Sequence, residues 1–414
     1  MSKNSKIIWF FLSLVFLQAI YSFLSPNYGT NQCWKSLDTL SAYKGHSFDS
    51  FDKQLVSKAI YLVSDYHSVC DGAGFVLLAH DFPSDYFRDR LLFINRPLFP
   101  FLVHILSVPL HFFSNSYSLT FFSSILLNII LFFATVCLFY GLVKKLFSER
   151  IAFWAAVLLI FSPFAHSWLV QTETSIFGIF SFIFSLYLLD NYIKEPSRQK
   201  LIIFSLIVGI LMLGKMNLAI GIFVGLLALW FKKYREVFIF LVLQFIPILL
   251  WYLWVTKVWG LNFGMQEVSK FGAGVWMFEM INWPLYQVIG ELVGVIPNFL
   301  TSIIYGFLLI PVLFSLIGFY IWQFKYKQIL FGSMLLAYLI FFFVLRLYLP
   351  RHAFFLFPII YPTAILGIDY IGEKLKIFRF YKPWIYYPVV YFLIIAPALL
   401  SIFRIYEYLG VPYS

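Results

Sequence analysis

The sequence has little charge. Only 12% of its 414 residues are Asp, Glu, Lys or Arg, where soluble domains carry about 25%. Acid is scarcer still, with 19 Asp and Glu against 30 Lys and Arg, and there are only 3 cysteines. There is no internal repeat, no low-complexity linker, and no stretch polar enough for a soluble domain. These absences exclude a water-soluble globular protein. What is present is apolar and aromatic: 62% hydrophobic residues, with 52 Phe and 27 Tyr. Ile7–Leu24, Tyr117–Val143 and Ala353–Ile371 each run apolar for about the 17–25 residues that a spanning helix needs. The fold class is therefore all-α, a polytopic membrane protein. Many rings are expected to face lipid or to sit in interfacial belts. The net charge of +11 would suggest a nucleic-acid partner in a soluble protein. Here it is assigned to cytoplasmic loops, with no nucleic acid as partner.

Basic clusters set the expected topology. Lys3/Lys6, Lys144/Lys145/Arg150, Lys194/Arg198/Lys200, Lys232/Lys233/Arg235, Lys325/Lys327 and Lys374/Lys376/Arg379/Lys382 should all be cytoplasmic. One rule satisfies them all if 97–113 is an interfacial or re-entrant segment on the outer face and not a span. About 11 spans follow: 7–24, 117–143, 151–168, 174–193, 201–214, 217–231, 236–256, 300–323, 329–346, 353–371 and 385–403. The residues 1–414 read as one integral membrane domain. Its long first extracytoplasmic loop is 25–96, and a second outer loop is 257–299. The N-terminal MSKNSK precedes an apolar run with no small-residue cleavage site, so an uncleaved first helix with a cytoplasmic N-terminus is expected. Cys137 falls inside a span. Cys33 and Cys70 share the first loop, where a disulfide and two free thiols both fit the sequence.

The acid is concentrated. Eight of the 19 carboxylates are Asp residues of the first loop: Asp38, Asp49, Asp52, Asp65, Asp71, Asp81, Asp85 and Asp89. A loop this long in a compact protein is usually functional or structured. The same face is expected to hold Arg96, Glu173, the Lys215/Asn217 hairpin tip, and Arg351/His352. The second outer loop adds Lys257, Glu267, Lys270, Glu279 and Glu291. Ionisable groups at membrane depth usually face a cavity. The bland reading, snorkelling to the interface, suits Arg346 and Lys257. Any one loop Asp can equally serve solubility.

The stretch Asp71-Gly-Ala-Gly-Phe75-Val-Leu-Leu-Ala79 resembles the first-loop motif of the GPI mannosyltransferase II family and its bacterial relatives, roughly Trp-Asp-x-x-x-Tyr-x-x-x-Ala. Those enzymes are membrane glycosyltransferases of the GT-C type. Cys70 stands where the motif has Trp, and Phe75 where it has Tyr. Arg96-Pro-Leu-Phe-Pro100 is similar to the family's Pro-Leu-Tyr-Pro segment. Ser162-Pro-Phe, Thr172-Glu173 and the following SLYLL are similar to its Pro…Thr-Glu…Leu-Tyr-Leu-Leu run. Leu213-Gly-Lys-Met-Asn217 falls where relatives place a basic residue after a Gly-rich short helix. The likeness covers about residues 60–220, in order.

The resemblance implies a GT-C-like fold with interfacial helices in the first loop. It also implies transfer of a sugar, mannose being one candidate, from a polyprenyl-phosphate donor to an acceptor hydroxyl, with inversion. The acceptor would be a glycan, a lipid or a protein, and the setting a bacterial inner (cell) membrane with an extracytoplasmic site. The absence of any Asn-x-Ser/Thr sequon agrees with a bacterial source. The chemistry needs a carboxylate to take the hydroxyl proton and cations to hold the departing phosphate. Asp71 is the candidate base, and Glu173 a second carboxylate that orients the acceptor or holds a divalent metal. Arg351, Lys215 and Arg96 are candidates for the donor phosphate, Arg through its bidentate fork. Asp65, Asp81, His80 and His352 are in reserve. The spacing of Asp71, Phe75 and Ala79 predicts a short helix with its apolar side on the membrane. Asp71 would sit in its first turn, where the helix dipole favours an ionised carboxylate.

Two other readings compete. An O-antigen polymerase or ligase would carry its main outer loop later in the chain. A lipid-linked sugar transporter or flippase predicts inverted repeats and mid-membrane charges, whereas the ionisable groups here cluster on one face. The lack of a soluble catalytic domain and of a Gly-rich phosphate loop argues against a nucleotide-sugar donor.

Overall fold

The structure is a computed structural model that describes residues 3–24, 76, 79–80, 96–112, 117–170, 174–214, 234–259, 283–326, 353–376 and 382–408. Among them the helices are α1 (Lys3–Leu24), α2 (Leu98–His111), α3 (Tyr117–Leu146), α4 (Glu149–Ile160), α5 (Pro163–Leu169), α6 (Ser175–Lys194), α7 (Arg198–Met212), α8 (Tyr234–Trp259), α9 (Leu285–Phe307), α10 (Leu309–Tyr326), α11 (Phe357–Leu375) and α12 (Pro383–Tyr408). Among the described residues, five helices are long and apolar enough to cross a membrane: those at Asn4–Ser22, Leu119–Leu146, Ser175–Lys194, Tyr234–Val258 and Phe354–Leu375. The protein is an all-α polytopic integral membrane protein. The expected spans 217–231 and 329–346 lie outside the described residues.

Short basic connections are capped by serine. Ser148 accepts a hydrogen bond from Ile151 N at 3.3 Å to open α4, and Ser197 accepts one from Lys200 N at 3.2 Å to open α7. Each satisfies an amide that the first helical turn leaves without a partner. Lys144 and Lys145 lie in the last turn of α3, and Lys194 in that of α6, where the helix dipole favours cations.

Proline sets two interruptions that hydropathy does not show. The expected span 151–168 is two helices, α4 and α5, broken at Phe161–Ser162 ahead of Pro163. Proline disfavours helical backbone in the residue before it. The Ser162 hydroxyl repairs the break, donating to Leu159 O at 2.8 Å and accepting from Ala165 N at 3.1 Å. The expected span 300–323 is likewise divided. Leu308 has φ 66°, a left-handed backbone that a leucine rarely adopts, and it separates α9 from α10. Pro311 explains it, because in a continuous helix its ring would strike the Phe307 carbonyl. α9 also begins at Leu285, so residues 285–299, read from sequence as part of an outer loop, are helical.

The chain divides into two compact units, Met1–Thr135 with Ser167–Phe271, and Val136–His166 with Gly272–Ser414. In the first, α7 packs on α8. Phe204 meets Phe240 with ring centroids 5.1 Å apart, and a methyl group at Gly209 would collide with the Gln244 carbonyl. The Tyr192 hydroxyl donates to Glu236, joining α6 to α8.

In the second unit α10 packs closely on α11. A side chain at Gly318 would overlap the Thr363 carbonyl, and one at Gly367 the Phe314 carbonyl. Ser315 and Thr363 share a hydroxyl hydrogen bond of 2.8 Å. Such approaches are typical of helix pairs in lipid, where van der Waals contact and hydrogen bonds hold the helices together. An aromatic core fills the rest: Phe354 lies 4.2 Å from Phe164 and 5.1 Å from Phe357, which meets Phe139 at 5.1 Å. Arg150 of α4 pairs with Asp369 of α11 at 2.9 Å and lies 4.6 Å from the Tyr387 ring of α12.

The Gly318→Ala substitution should cost about 3 kcal/mol, the upper part of the usual overpacking range, because backbone and not a mobile side chain blocks the methyl. Gly141→Ala, where nothing lies within 4 Å, should leave the thermal midpoint in detergent nearly unchanged. Equal midpoints for the two variants would contradict the close α10–α11 contact.

Candidate functional site

Three segments that the sequence marked separately meet in the first unit. Arg96 precedes Pro97, which leads into α2. Leu98 N donates to Leu213 O at 3.3 Å, tying the start of α2 to the end of α7. Phe99 is buried and packs edge-on against Phe177 of α6, with centroids 6.3 Å apart. The same Phe177 ring covers Gly214 so closely that a β-carbon there would lie inside it. Glycine at 214 is thus required by close approach and not by backbone conformation.

Arg96 Nη1 donates to Thr174 Oγ1 at 3.4 Å. That length is near the limit for a hydrogen bond, so the contact directs the guanidinium more than it stabilises the fold. Thr174 is the N-cap residue of α6 and only 2% exposed. Arg96–Phe99, Thr174 and Leu213-Gly214 therefore converge. Glu173 and Lys215, each adjacent in sequence to a residue of this junction, lie outside the described residues. So do Asp71, Asp65, Asp81, Arg351 and His352.

A second cluster is built on histidine. His104 and His111 are seven residues apart on α2, which puts them on one face of the helix. His104 Nδ1 donates to the Ala79 carbonyl at 2.8 Å. Since a carbonyl only accepts, the proton is on Nδ1. Thr120, in the first turn of α3, bridges two rings: its Oγ1 lies 3.0 Å from His80 Nδ1 and 3.2 Å from His111 Nε2. The two imidazoles are edge-on with centroids 5.2 Å apart. Burial lowers the pKa of His111, and repulsion from His104 lowers it further.

Val76, Ala79 and His80 are helical, in line with the short helix that the spacing predicted. Their apolar side meets protein and not lipid: Ala79 is fully buried, and Val76 packs with Phe121 and Ile125 of α3. The reason lies in the chain. In a helix the Ala79 carbonyl would pair with the amide of residue 83, but that residue is Pro83, which has no N–H. A buried carbonyl left bare is costly, and His104 supplies the donor.

Among the described residues no group of three His, Cys, Asp or Glu side chains is arranged to hold a metal ion. Three of the cluster's ring nitrogens, His80 Nδ1, His104 Nδ1 and His111 Nε2, point at Thr120 and the Ala79 carbonyl. Glu173, to which the sequence reading gives a metal, lies outside the described residues. Sequence reasoning missed Thr120, Thr174, His104 and His111. The seven-residue spacing of the two α2 histidines was the available signal, whereas a lone threonine in an apolar helix gives none.

The class defined by the fold is an all-α polytopic membrane protein. Residues 100–259 match the family model described as dolichyl-phosphate-mannose-protein mannosyltransferase. That stretch contains the Thr-Glu-Thr and Leu-Gly-Lys segments and begins four residues after Arg96. No curated protein matches the sequence. Among solved structures the chain is similar to the oligosaccharyltransferase of Archaeoglobus fulgidus tethered to an acceptor peptide, at 14% identity and a TM-score of 0.47, covering 85% of this chain and 54% of that one. It is also similar to the Archaeoglobus fulgidus oligosaccharyltransferase AglB in complex with an inhibitory peptide and a dolichol-phosphate, at 15% identity and 0.47, covering 97% and 55%. A third structure, of the Archaeoglobus fulgidus enzyme with Zn and sulfate, gives 15% identity and 0.44, covering 85% and 52%. The chain spans about half the length of the solved chains it matches.

The junction makes a packing prediction. Gly214→Ala drives a methyl into the Phe177 ring and should lower the thermal midpoint. Adding Phe177→Leu, which vacates that space, should recover most of the loss. Additive destabilisation in the double variant would contradict the contact.

Proposed function

We propose that this protein is a GT-C-type membrane glycosyltransferase, taking a sugar from a polyprenyl-phosphate carrier and joining it to an acceptor hydroxyl. The convergence of Arg96, Thr174 and Leu213-Gly214, at or beside the segment that matches a mannosyltransferase family, carries this reading. Mannose is the proposed sugar, because the family description names it. The acceptor is a hydroxyl of a protein, glycan or lipid, and the active site is on the extracytoplasmic face. The junction lies at the ends of α6 and α7 opposite to those that carry Lys194, Arg198 and Lys200, and the positive-inside rule supports an outer-face site on that ground.

In the proposed step Asp71 takes the proton of the acceptor hydroxyl. The freed oxygen attacks the anomeric carbon as the bond from that carbon to the phosphate oxygen breaks. The electron pair leaves with the polyprenyl phosphate, and the anomeric configuration inverts. Arg96, held in direction by Thr174, bears on the phosphate together with Lys215 and Arg351, which answers the charge that grows on it. Glu173 orients the acceptor, or holds a divalent metal that would supply Lewis-acid stabilisation of the phosphate.

The test is transfer from radiolabelled polyprenyl phosphomannose by the full chain in membranes that retain their own acceptors. The Asp71→Asn variant should lose about 10²–10⁴-fold in rate, the usual contribution of a positioned base, while inserting and folding normally. Arg96→Gln should lower kcat/KM for the lipid donor by about 10²-fold. Full activity of Asp71→Asn would overturn the base assignment, and unchanged donor kinetics of Arg96→Gln the phosphate assignment.

A further inference from the structure

We infer that His80, His104 and His111, joined through Thr120 and the Ala79 carbonyl, are a latch that positions the first-loop helix against α2 and α3, and that it holds while the imidazoles are neutral. Three observations carry this. The Ala79 carbonyl, deprived of a helical partner by Pro83, takes its donor from His104 of α2. His80, the next residue, reaches Thr120 of α3, and His111 of α2 reaches the same oxygen. The helix face that carries these groups is closed by Val76 against Phe121 and Ile125. Two adjacent residues of the loop helix are therefore fastened to two different helices by polar contacts that fix register and rotation. Asp71 and Asp81 flank this fastened segment in sequence. The histidines touch no substrate in this account; they are positioning residues, and that role rests on the reaction proposed above. The latch itself does not.

The condition on charge follows from the crowding of the rings. The Thr120 hydroxyl has one proton and two lone pairs, so it can hold both ring nitrogens in either direction, and it places the two imidazoles edge to edge. Protonating both rings would set two cations edge to edge at 5.2 Å, beside His104. Among the described residues the histidines of the cluster are His80 on the loop helix and His104 and His111 on α2; α3 carries Tyr117 in its first turn, and its other titratable groups, Cys137, Tyr140, Lys144 and Lys145, come 17 or more residues after Thr120. Asp81, next to His80 in sequence, lies outside the described residues. The shift of His111 agrees in sign: its pKa is lowered, so the folded state prefers the neutral ring. That preference stabilises the fold above the ordinary histidine value of about 6.5 and is lost as pH falls through and below it.

Side-chain amides can separate the ring nitrogens, since Asn places its N–H near the position of Nδ1 and Gln near that of Nε2. His80 and His104 use Nδ1, and His111 uses Nε2. The experiment is amide hydrogen exchange over residues 76–82 in the full chain in nanodiscs, at about pH 7.5 and about pH 5.5, corrected for intrinsic exchange. Wild-type exchange should be about tenfold faster at the lower pH. His104→Leu should be fast at both, and His104→Asn slow at the higher. His111→Gln should stay slow and His111→Asn should not.

Wild-type exchange that ignores pH, or a His104→Leu variant as protected as wild type, would overturn the latch. The Asn and Gln variants keep the test valid should the leucine variant fail to fold. Mannose transfer supplies the second readout: His104→Leu should lower kcat about tenfold with little change in KM for the lipid donor, and His104→Asn should restore it. An active Asp71→Asn with a pH-sensitive latch defeats the reaction assignment alone. Unaltered exchange defeats the latch whatever the activity.

Discussion

In a bilayer a polar group has no water to turn to, and that constraint shapes this structure more than any other. At several places where the chain breaks its own helical hydrogen bonding, a side chain of the protein steps in. Ser162 serves both sides of the break before Pro163. Ser148 and Ser197 cap the helices that follow basic turns. The Ala79 carbonyl, left open by Pro83, is met by His104. Ser162 and His104 are in this sense answers to the positions of prolines.

The second force is contact without a hydrophobic drive between helices. Lipid tails are as apolar as leucine, so helices join where they can come close. Gly318 and Gly367 let α10 and α11 meet backbone to backbone, and the Ser315–Thr363 bond fixes their register. Gly209 does the same for α7 against α8. Gly214 uses the same device for a different end, letting Phe177 lie over the turn that leads to Lys215. A packing feature thereby brings the Arg96, Thr174 and Gly214 segments to one place. With residues 100–259 matching a mannosyltransferase family, that junction is where the proposed chemistry has its footing.

Much of the helix layout was legible. The apolar runs gave α1, α3, α6, α8 and α11 close to their observed bounds, and residues 98–111 form the short helix expected of 97–113. Hydropathy failed where proline interrupts an apolar run. The residues of 151–168 and 300–323 are as oily through Pro163 and before Pro311 as elsewhere, so a window average passes over the break. α9 was read as loop because Glu291 and two glycines dilute its first half.

The sequence by itself determined that this chain lives in a membrane, which segments resemble GT-C enzymes, and that acid gathers in the first loop. Those are properties of composition and order along the chain, and they need no knowledge of neighbours. Only the tertiary structure decided that Arg96 reaches Thr174, that Phe177 closes on Gly214, and that three histidines separated by up to 31 positions gather around Thr120 and the Ala79 carbonyl. A threonine or histidine in an apolar helix carries no mark of its partner. The partner is chosen when helices pack, because a buried hydrogen bond needs two groups at one point in space.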